Sequence, residues 1–335
     1  MDNKHIEQKI VDTLKVNYMP YAMSVIVSRA IPEIDGLKPS HRKLLYTMYK
    51  MGLLKGQKTK SANVVGQTMK LNPHGDMAIY ETLVRLTTGN MALLHPLVES
   101  KGNFGKVFSR DMKFAAPRYT EVKLAPISEE LFRDIDKDTV DFIDNYDGTM
   151  KEPMLLPTVF PNILVNPNQG IAVGMASNIC SFNLREVCEA TIAYIKEDNI
   201  DLMRYLKAPD FPTGGIIVGH EGIRSAYQTA RGIIKVRGRV QLETRENGRH
   251  QLVITEIPFQ QNKAKLVEKI AELVKEKKME GVTDLRDESD RNGVRIVLEI
   301  KRDYPPQVII NQLYRYTPLQ QTFGVIMLVL VDGQP

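Results

Sequence analysis

Residues 61–69 read Ser61-Ala62-Asn63-Val64-Val65-Gly66-Gln67-Thr68-Met69, and after Lys70-Leu71 the chain runs Asn72-Pro73-His74-Gly75-Asp76-Met77-Ala78-Ile79-Tyr80-Glu81-Thr82-Leu83-Val84-Arg85-Leu86. Ser61 is placed to cap a helix through Met69 with Val64, Val65 and Thr68 inward, and Asn72-Pro73-His74-Gly75 makes a tight turn. Asp76 is placed to cap a second helix, in which Ile79, Tyr80, Leu83, Val84 and Leu86 form an apolar face and Arg85 projects from another. Two short helices joined by a Pro-Gly turn form a helix-turn-helix pattern. Upstream, Leu44, Leu45, Met48 and Tyr49 fall at helical spacing from His41 until Gly52 and Gly56 break the pattern. From Gly36 to Lys70 the chain carries eight Lys or Arg and no Asp or Glu. A local run of one charge beside a helix pair is the footprint of a polyanion, although such pairs also serve as plain packing units.

Working outward, Arg29-Ala30-Ile31-Pro32-Glu33-Ile34-Asp35-Gly36-Leu37-Lys38-Pro39 forbids a long helix and predicts turns. Before it, Ile6, Ile10 and Leu14 recur at four-residue spacing and predict an amphipathic helix, whose apolar edge suits its own chain or another subunit. After the helix pair, Gly89, Gly102 and Gly105 with Phe104, Phe108 and Phe114 predict turns and short strands, a wing beside the helices. The wing ends at Ala115-Ala116-Pro117-Arg118-Tyr119-Thr120-Glu121. A phenol with a pKa near ~10 attacks a phosphodiester at neutral pH only with cations nearby, and Arg118 is the first of them. The plainer reading is an amphipathic ring with a solvated neighbour.

The 335 residues, 43% hydrophobic and 25% charged with a net charge of +5, suit a globular protein of two domains and exclude a disordered chain. The acidic residues between Glu129 and Asp147 read as a solvated helix face and a turn, without the spacing of a metal cage. Two cysteines, Cys180 and Cys188, do not make a disulfide framework, and they read as reduced, packed side chains. The charged N-terminus lacks a signal h-region, and Val16–Ile31 is interrupted by Pro20 and Arg29, so a cytoplasmic protein is expected. Residues 155–167 are proline-spaced and predict an extended segment. Gly170-Ile171-Ala172-Val173-Gly174-Met175 is glycine-rich, but GxxxxGK[ST] occurs nowhere in the chain, which rules out a P-loop and leaves a backbone that approaches a duplex with an apolar wedge. Further on, the 252–257 strand, a helix capped by Asn262 and ended by Gly281, and the alternation of Val294, Ile296, Leu298 and Ile300 predict a separate α/β domain.

The segments Ala116–Glu121, Asn72–Asp76, Asp144-Asn145-Tyr146-Asp147-Gly148, Gly170–Ala176 and Asp284-Leu285-Arg286-Asp287-Glu288-Ser289-Asp290-Arg291 together closely resemble the A subunits of bacterial type IIA DNA topoisomerases, the gyrase and topoisomerase IV family. The resemblance runs from about Val16 to Pro335. It implies a multidomain α+β fold: an N-terminal arm (1–30), a winged-helix DNA-gate domain (31–150) and an α/β tower domain (151–335). The family continues past the position of Pro335 into a coiled-coil gate and a C-terminal wrapping domain, so a fragment is implied. By resemblance Tyr119 is the nucleophile and Arg118 its transition-state cation, with Arg29 and His74 around the scissile phosphate. Lys38, His41, Arg42 and Lys43 match the DNA-contacting run, Arg85 joins the DNA-binding set, and Ile171 matches the wedge that bends the duplex. Mg²⁺ and ATP are implied on the B subunit. The implied partners are double-stranded DNA, a second copy of the chain and the B subunit, in an A₂B₂ assembly. Met77 stands where many members carry a small hydroxyl residue associated with quinolone binding, with Glu81 one turn later. The competing reading from another class is a winged-helix regulator or architectural protein that binds DNA without chemistry.

Overall fold

The computed structural model describes residues 8–197, 199–245, 248–290 and 292–335, leaving aside the side chains of 110–112. Ile6 of the predicted N-terminal edge and Arg291 of the last motif lie outside the described residues. Helix α1 (Ile10–Val25) runs through Pro20 and passes into a π-helical turn at Ile26–Ala30. Ala22 is the buried residue of α1, while Ile10, Leu14, Tyr18, Met19 and Tyr21 face outward.

The helix-turn-helix reading holds in its elements and shifts at its caps. Helix α2 (Pro39–Lys50) starts two residues before His41, because proline at the first helical position sacrifices no hydrogen bond. Strand β1 (Thr59–Lys60) leads directly into α3 (Ser61–Thr68), and α4 spans Asp76–Leu86. Ser61 and Asp76 are first helical residues, not caps: Lys60 and Gly75 hold the cap positions, and the Asp76 carboxylate accepts the Met77 N–H at 2.8 Å. Leu44, Leu45 and Met48 of α2, Val64 and Val65 of α3, and Ile79, Tyr80 and Leu83 of α4 bury into one core.

Against these helices packs an antiparallel sheet of β1, β2 (Val98–Lys101) and β5 (Glu121–Leu124), in the order β1-β5-β2. The hairpin β3 (Phe104–Lys106) and β4 (Ser109–Phe114) is separate from it, so the aromatic segment predicted as one wing divides. Phe104 and Phe114 stay with the first core, whereas Phe108 at the hairpin turn enters a second core and its carbonyl accepts the Lys263 N–H at 2.9 Å. The acidic stretch forms α5 (Glu129–Phe132) and the hairpin β6 (Phe142–Asp144) and β7 (Lys151–Pro153), where Asp147 accepts from Thr149 and Gly148 supplies a φ of +69°. Four of its carboxylates have protein partners: Glu130 with Arg133, Asp134 with Lys137, Asp136 with the Tyr49 hydroxyl and Asp144 with Lys151.

The proline-spaced segment is not wholly extended, since α6 (Asn162–Val165) makes one turn after Pro161. Then follow β8 (Asn168–Ile171), β9 (Ala176–Ile179), α7 (Leu184–Lys196), β10 (Ile216–Val218), α8 (Glu221–Thr229), β11 (Arg231–Arg237), β12 (Arg239–Thr244), β13 (His250–Glu256), α9 (Lys263–Lys275), β14 (Val282–Asp287), β15 (Ile296–Ile300), α10 (Pro306–Tyr316) and β16 (Gln320–Ile326). One sheet has the order β10-β11-β16-β9-β8 and another β12-β13-β15-β14. Asn262 caps α9 by accepting the Lys265 N–H at 3.0 Å, as the sequence predicts, but the helix ends at Lys275 rather than Gly281, and Lys277 takes the left-handed turn. The strand-helix-strand unit is present, yet β15 inserts between β13 and β14 and pairs antiparallel with both. The pairings of the named strands are antiparallel throughout the described residues, so the fold is mixed α+β and the α/β label for this half is corrected.

Asp35 ties the start of α2 to the 155–163 segment. Its buried carboxylate takes Arg42 at 2.7 and 2.9 Å, the Leu37 N–H at 3.0 Å and the Leu156 N–H at 3.0 Å, and its carbonyl accepts from Asn162 at 2.9 Å. Gly36 follows with a φ of +82°, where a Cβ would lie 2.6 Å from the Ile163 nitrogen, so the junction admits only glycine.

Candidate nucleic-acid interface

Arg118 and Tyr119 ride on a turn that sits on the N-terminus of α3. The first N–H groups of a helix have no partner within it. Here Ser61 donates its N–H to the Thr120 carbonyl at 3.0 Å and Ala62 donates to the Pro117 carbonyl at 3.1 Å. The turn closes on itself through Tyr119 N–H to Ala116 carbonyl at 2.9 Å. Backbone bonds thus fix both flanks while the Tyr119 side chain stays 64% exposed. Among the described residues its hydroxyl has no protein partner, and the Arg118 guanidinium lies 4.7 Å from its ring centroid, over the face and not at the oxygen. The helix end is thus satisfied by the turn, and the exposed side chains left at this point are a cation and a phenol.

The basic run on α2 does not face outward as a unit. Arg42, expected in the DNA-contacting run, is 5% exposed and bonded to Asp35 and to the Leu37 carbonyl at 3.2 Å, and a buried guanidinium paired in this way holds the fold. Lys43, expected in the same run, is half-buried, donates to the Leu71 carbonyl at 3.0 Å and pairs with Glu152 at 3.1 Å. Lys38 and His41, by contrast, meet Arg85 of α4 in a cleft of about 300 Å³ whose far wall includes Gln169, Phe259 and Gln260. Lys38 Nζ donates to the Gln169 carbonyl at 2.6 Å, and burial followed by the Arg85 charge lowers its pKa. Burial, then the charges of Lys38, Arg85 and Arg42, push His41 down to about 3, so its ring is neutral at pH 7.

Arg29 is exposed on the π-helical turn, and His74 is exposed on the turn between α3 and α4. Among the described residues no hydrogen bond or ring contact joins either to Tyr119. The Arg29 turn instead abuts the β8–β9 hairpin, because Gly170 lies so close to it that a Cβ would come within 1.9 Å of the Ala30 carbonyl. The hairpin tip carries Ile171 at 78% exposure, paired with Ala176, and Ala172 N–H closes the tip on the Met175 carbonyl at 2.9 Å. Met77 and Glu81 are exposed on α4.

Among the described residues no group of three or more His, Cys, Asp or Glu side chains is placed to hold a metal ion. Glu121, the carboxylate nearest to Tyr119 in the chain, is held by Lys60 at 2.8 Å and Lys101 at 3.5 Å, and the Lys60 hydrogen bond lowers its pKa. The donor set around Tyr119 is cationic and phenolic, which does not fit Mg²⁺. No described helix is long and apolar enough to cross a membrane. Cys180 and Cys188 are free thiols, and burial pushes Cys180 up to about 12. Sequence reasoning missed Asp35, Tyr80, Thr120 and Glu152; the Asp35-Gly36 turn dipeptide was the one signal available for the first.

An exposed phenol on the turn over α3, a helix pair bearing a basic cleft and a hairpin with an apolar tip are the features set against known proteins. Residues 29–335 match the model of the DNA gyrase/topoisomerase IV A-subunit family, and the chain belongs to that family. The DNA gyrase A subunit of Rickettsia bellii (strain RML369-C) is 53% identical over 332 residues, covering 97% of this chain and 36% of that protein. Those of Staphylococcus epidermidis and Clostridium acetobutylicum are 50% and 51% identical, covering 98% and 100% of this chain and 37% and 41% of theirs. The chain thus spans little more than a third of these relatives.

Proposed function

We propose that this chain is the DNA-cleaving part of a type IIA topoisomerase, combining a winged-helix DNA gate with a tower domain. It opens and reseals duplex DNA through a phosphotyrosine bond at Tyr119. The observation that carries the reading is the exposed Tyr119 on the α3 N-terminus with Arg118 against it. The phenolic oxygen forms a bond to phosphorus as the bond from phosphorus to the sugar oxygen breaks; the phenol proton departs and the sugar oxygen takes one up. Because one phosphoester replaces another, resealing needs no ATP at that step, and catalysis rests on in-line placement and charge stabilisation. Arg118 balances the developing charge, with Arg29 and His74 carried to the phosphate when the duplex is seated. Lys38 and Arg85 hold the backbone, and Ile171 enters a base step, an unstacking of a few kcal/mol offset by contacts along the bent duplex.

Mg²⁺ is assigned to a B-type partner, along with ATP hydrolysis. A second copy of this chain supplies the tyrosine for the other strand, and the outward apolar side chains of α1 suit one of these two partners. The test mixes the chain with a B-type partner, Mg²⁺ and duplex DNA and traps the product with detergent. A covalent adduct that survives high salt is expected, and an unchanged yield in Tyr119→Phe would sink the assignment. A regulator that binds DNA without chemistry would lose all its DNA in salt.

A further inference from the structure

Beneath the Arg118–Tyr119 turn lies a line of buried hydroxyls that none of the assigned roles uses. Tyr80 of α4 is 1% exposed, its ring fixed edge-on against Phe114 with centroids 5.4 Å apart. Its hydroxyl donates to the Ala115 carbonyl at 2.8 Å, at the upstream end of the turn, and lies 2.9 Å from Thr120 Oγ1 at the downstream end. Thr120 Oγ1 in turn donates to Ser61 Oγ at 2.8 Å, on the first residue of α3. The Tyr80 hydroxyl thus meets an oxygen at each end of the segment that carries Tyr119.

We propose that Tyr80, acting through Thr120, is a positioning residue that sets the angle at which Tyr119 meets the phosphodiester. The inference rests on Tyr119 being the nucleophile. Backbone bonds hold the turn to α3 at Pro117 and Thr120, and the Ala115 N–H donates to the Asn103 carbonyl at 2.9 Å. The Tyr80 hydroxyl adds a side-chain tie from α4 to both ends of the turn, at Ala115 and at Thr120. Tyr80 belongs to the same helix as Arg85, in the basic cleft, so seating a duplex on α4 also fixes the platform from which Tyr119 attacks. In-line displacement is sensitive to placement, and an error of about 1 Å costs about 10²-fold in rate.

Tyr80→Phe keeps the ring packing and deletes only the hydroxyl. With the B-type partner, Mg²⁺ and a short duplex, the rate of covalent adduct formation is expected to fall roughly 10- to 100-fold, while the DNA Kd is unchanged. Thr120→Ser should keep the wild-type rate and Thr120→Val should lose it as Tyr80→Phe does, and this pair carries the test if Tyr80→Phe fails to fold. The double change Tyr80→Phe with Thr120→Val should be no slower than either alone, because both remove one linkage. Wild-type rates in Tyr80→Phe or Thr120→Val, a Kd that weakens in step with the rate, or a slow Thr120→Ser would each overturn the proposal while the Tyr119 adduct of the wild type stands. Absence of a Tyr119-dependent adduct in the wild type would overturn the nucleophile assignment and this proposal with it.

Discussion

The basic run on α2 and the turn at 115–120 look alike as sequence, each setting cations beside a motif, and the fold uses them in opposite ways. On α2, Arg42 and Lys43 point inward and close the junction with Asp35 and Glu152, leaving Lys38 and His41 at the cleft. At the turn, the backbone satisfies the helix end and the side chains of Arg118 and Tyr119 are left to solvent. Charge density along a chain therefore reports where cations are, and helical phase reports which of them a polyanion can reach.

The sharpest test of that contrast sets chemistry against stability. Tyr119→Phe should abolish the covalent adduct while leaving the thermal unfolding midpoint in place; a lowered midpoint would mean that the turn is part of the fold's support. Arg42→Ala should do the reverse and lose about 3–5 kcal/mol of stability in denaturant unfolding, because the Asp35 carboxylate is left buried without its cation. Lys43→Met should lose a smaller amount, about 1–3 kcal/mol, since its half-buried ammonium bonds one carbonyl and one carboxylate. If Lys43→Met instead left stability intact and weakened DNA binding with a shallower salt slope, the inward reading of α2 would fail for that residue.

His41 gives the comparison a pH axis. The unfolded chain takes up a proton at His41 below its usual 6.5, whereas the folded chain resists until about 3. The unfolded state binds more protons within that window, so stability falls as pH drops through it and is unaffected above 6.5. His41→Gln should flatten the stability profile between those limits, measured by urea unfolding at successive pH values. The smallest expected effect on the fold is that of Ile171→Ala, within about 0.5 kcal/mol, as fits an exposed side chain. Its expected signature is reduced bending of a duplex labelled for fluorescence transfer at both ends, and equal bending would remove the wedge role.

The helix pair and the α9 cap were legible because their signals are local: apolar spacing within two turns, and an asparagine one residue before a periodic run. The shifted caps at Ser61 and Asp76 were not legible, since the partners of the α3 end arrive from Pro117 and Thr120, more than fifty residues away. The insertion of β15 between β13 and β14 was hidden for the same reason, because alternation identifies a strand and says nothing about its neighbour. The sequence by itself determined the elements, the basic segment, the motifs that carry the family resemblance and Tyr119 as the residue to watch. Only the tertiary structure decided which cations face out, that Asp35 ties the 155–163 segment to α2, and that Tyr80 and Thr120 stand under the Tyr119 turn. The physical reason is that helix and strand formation depends on neighbours in the chain, whereas burial and hydrogen-bond pairing depend on residues that folding alone brings together.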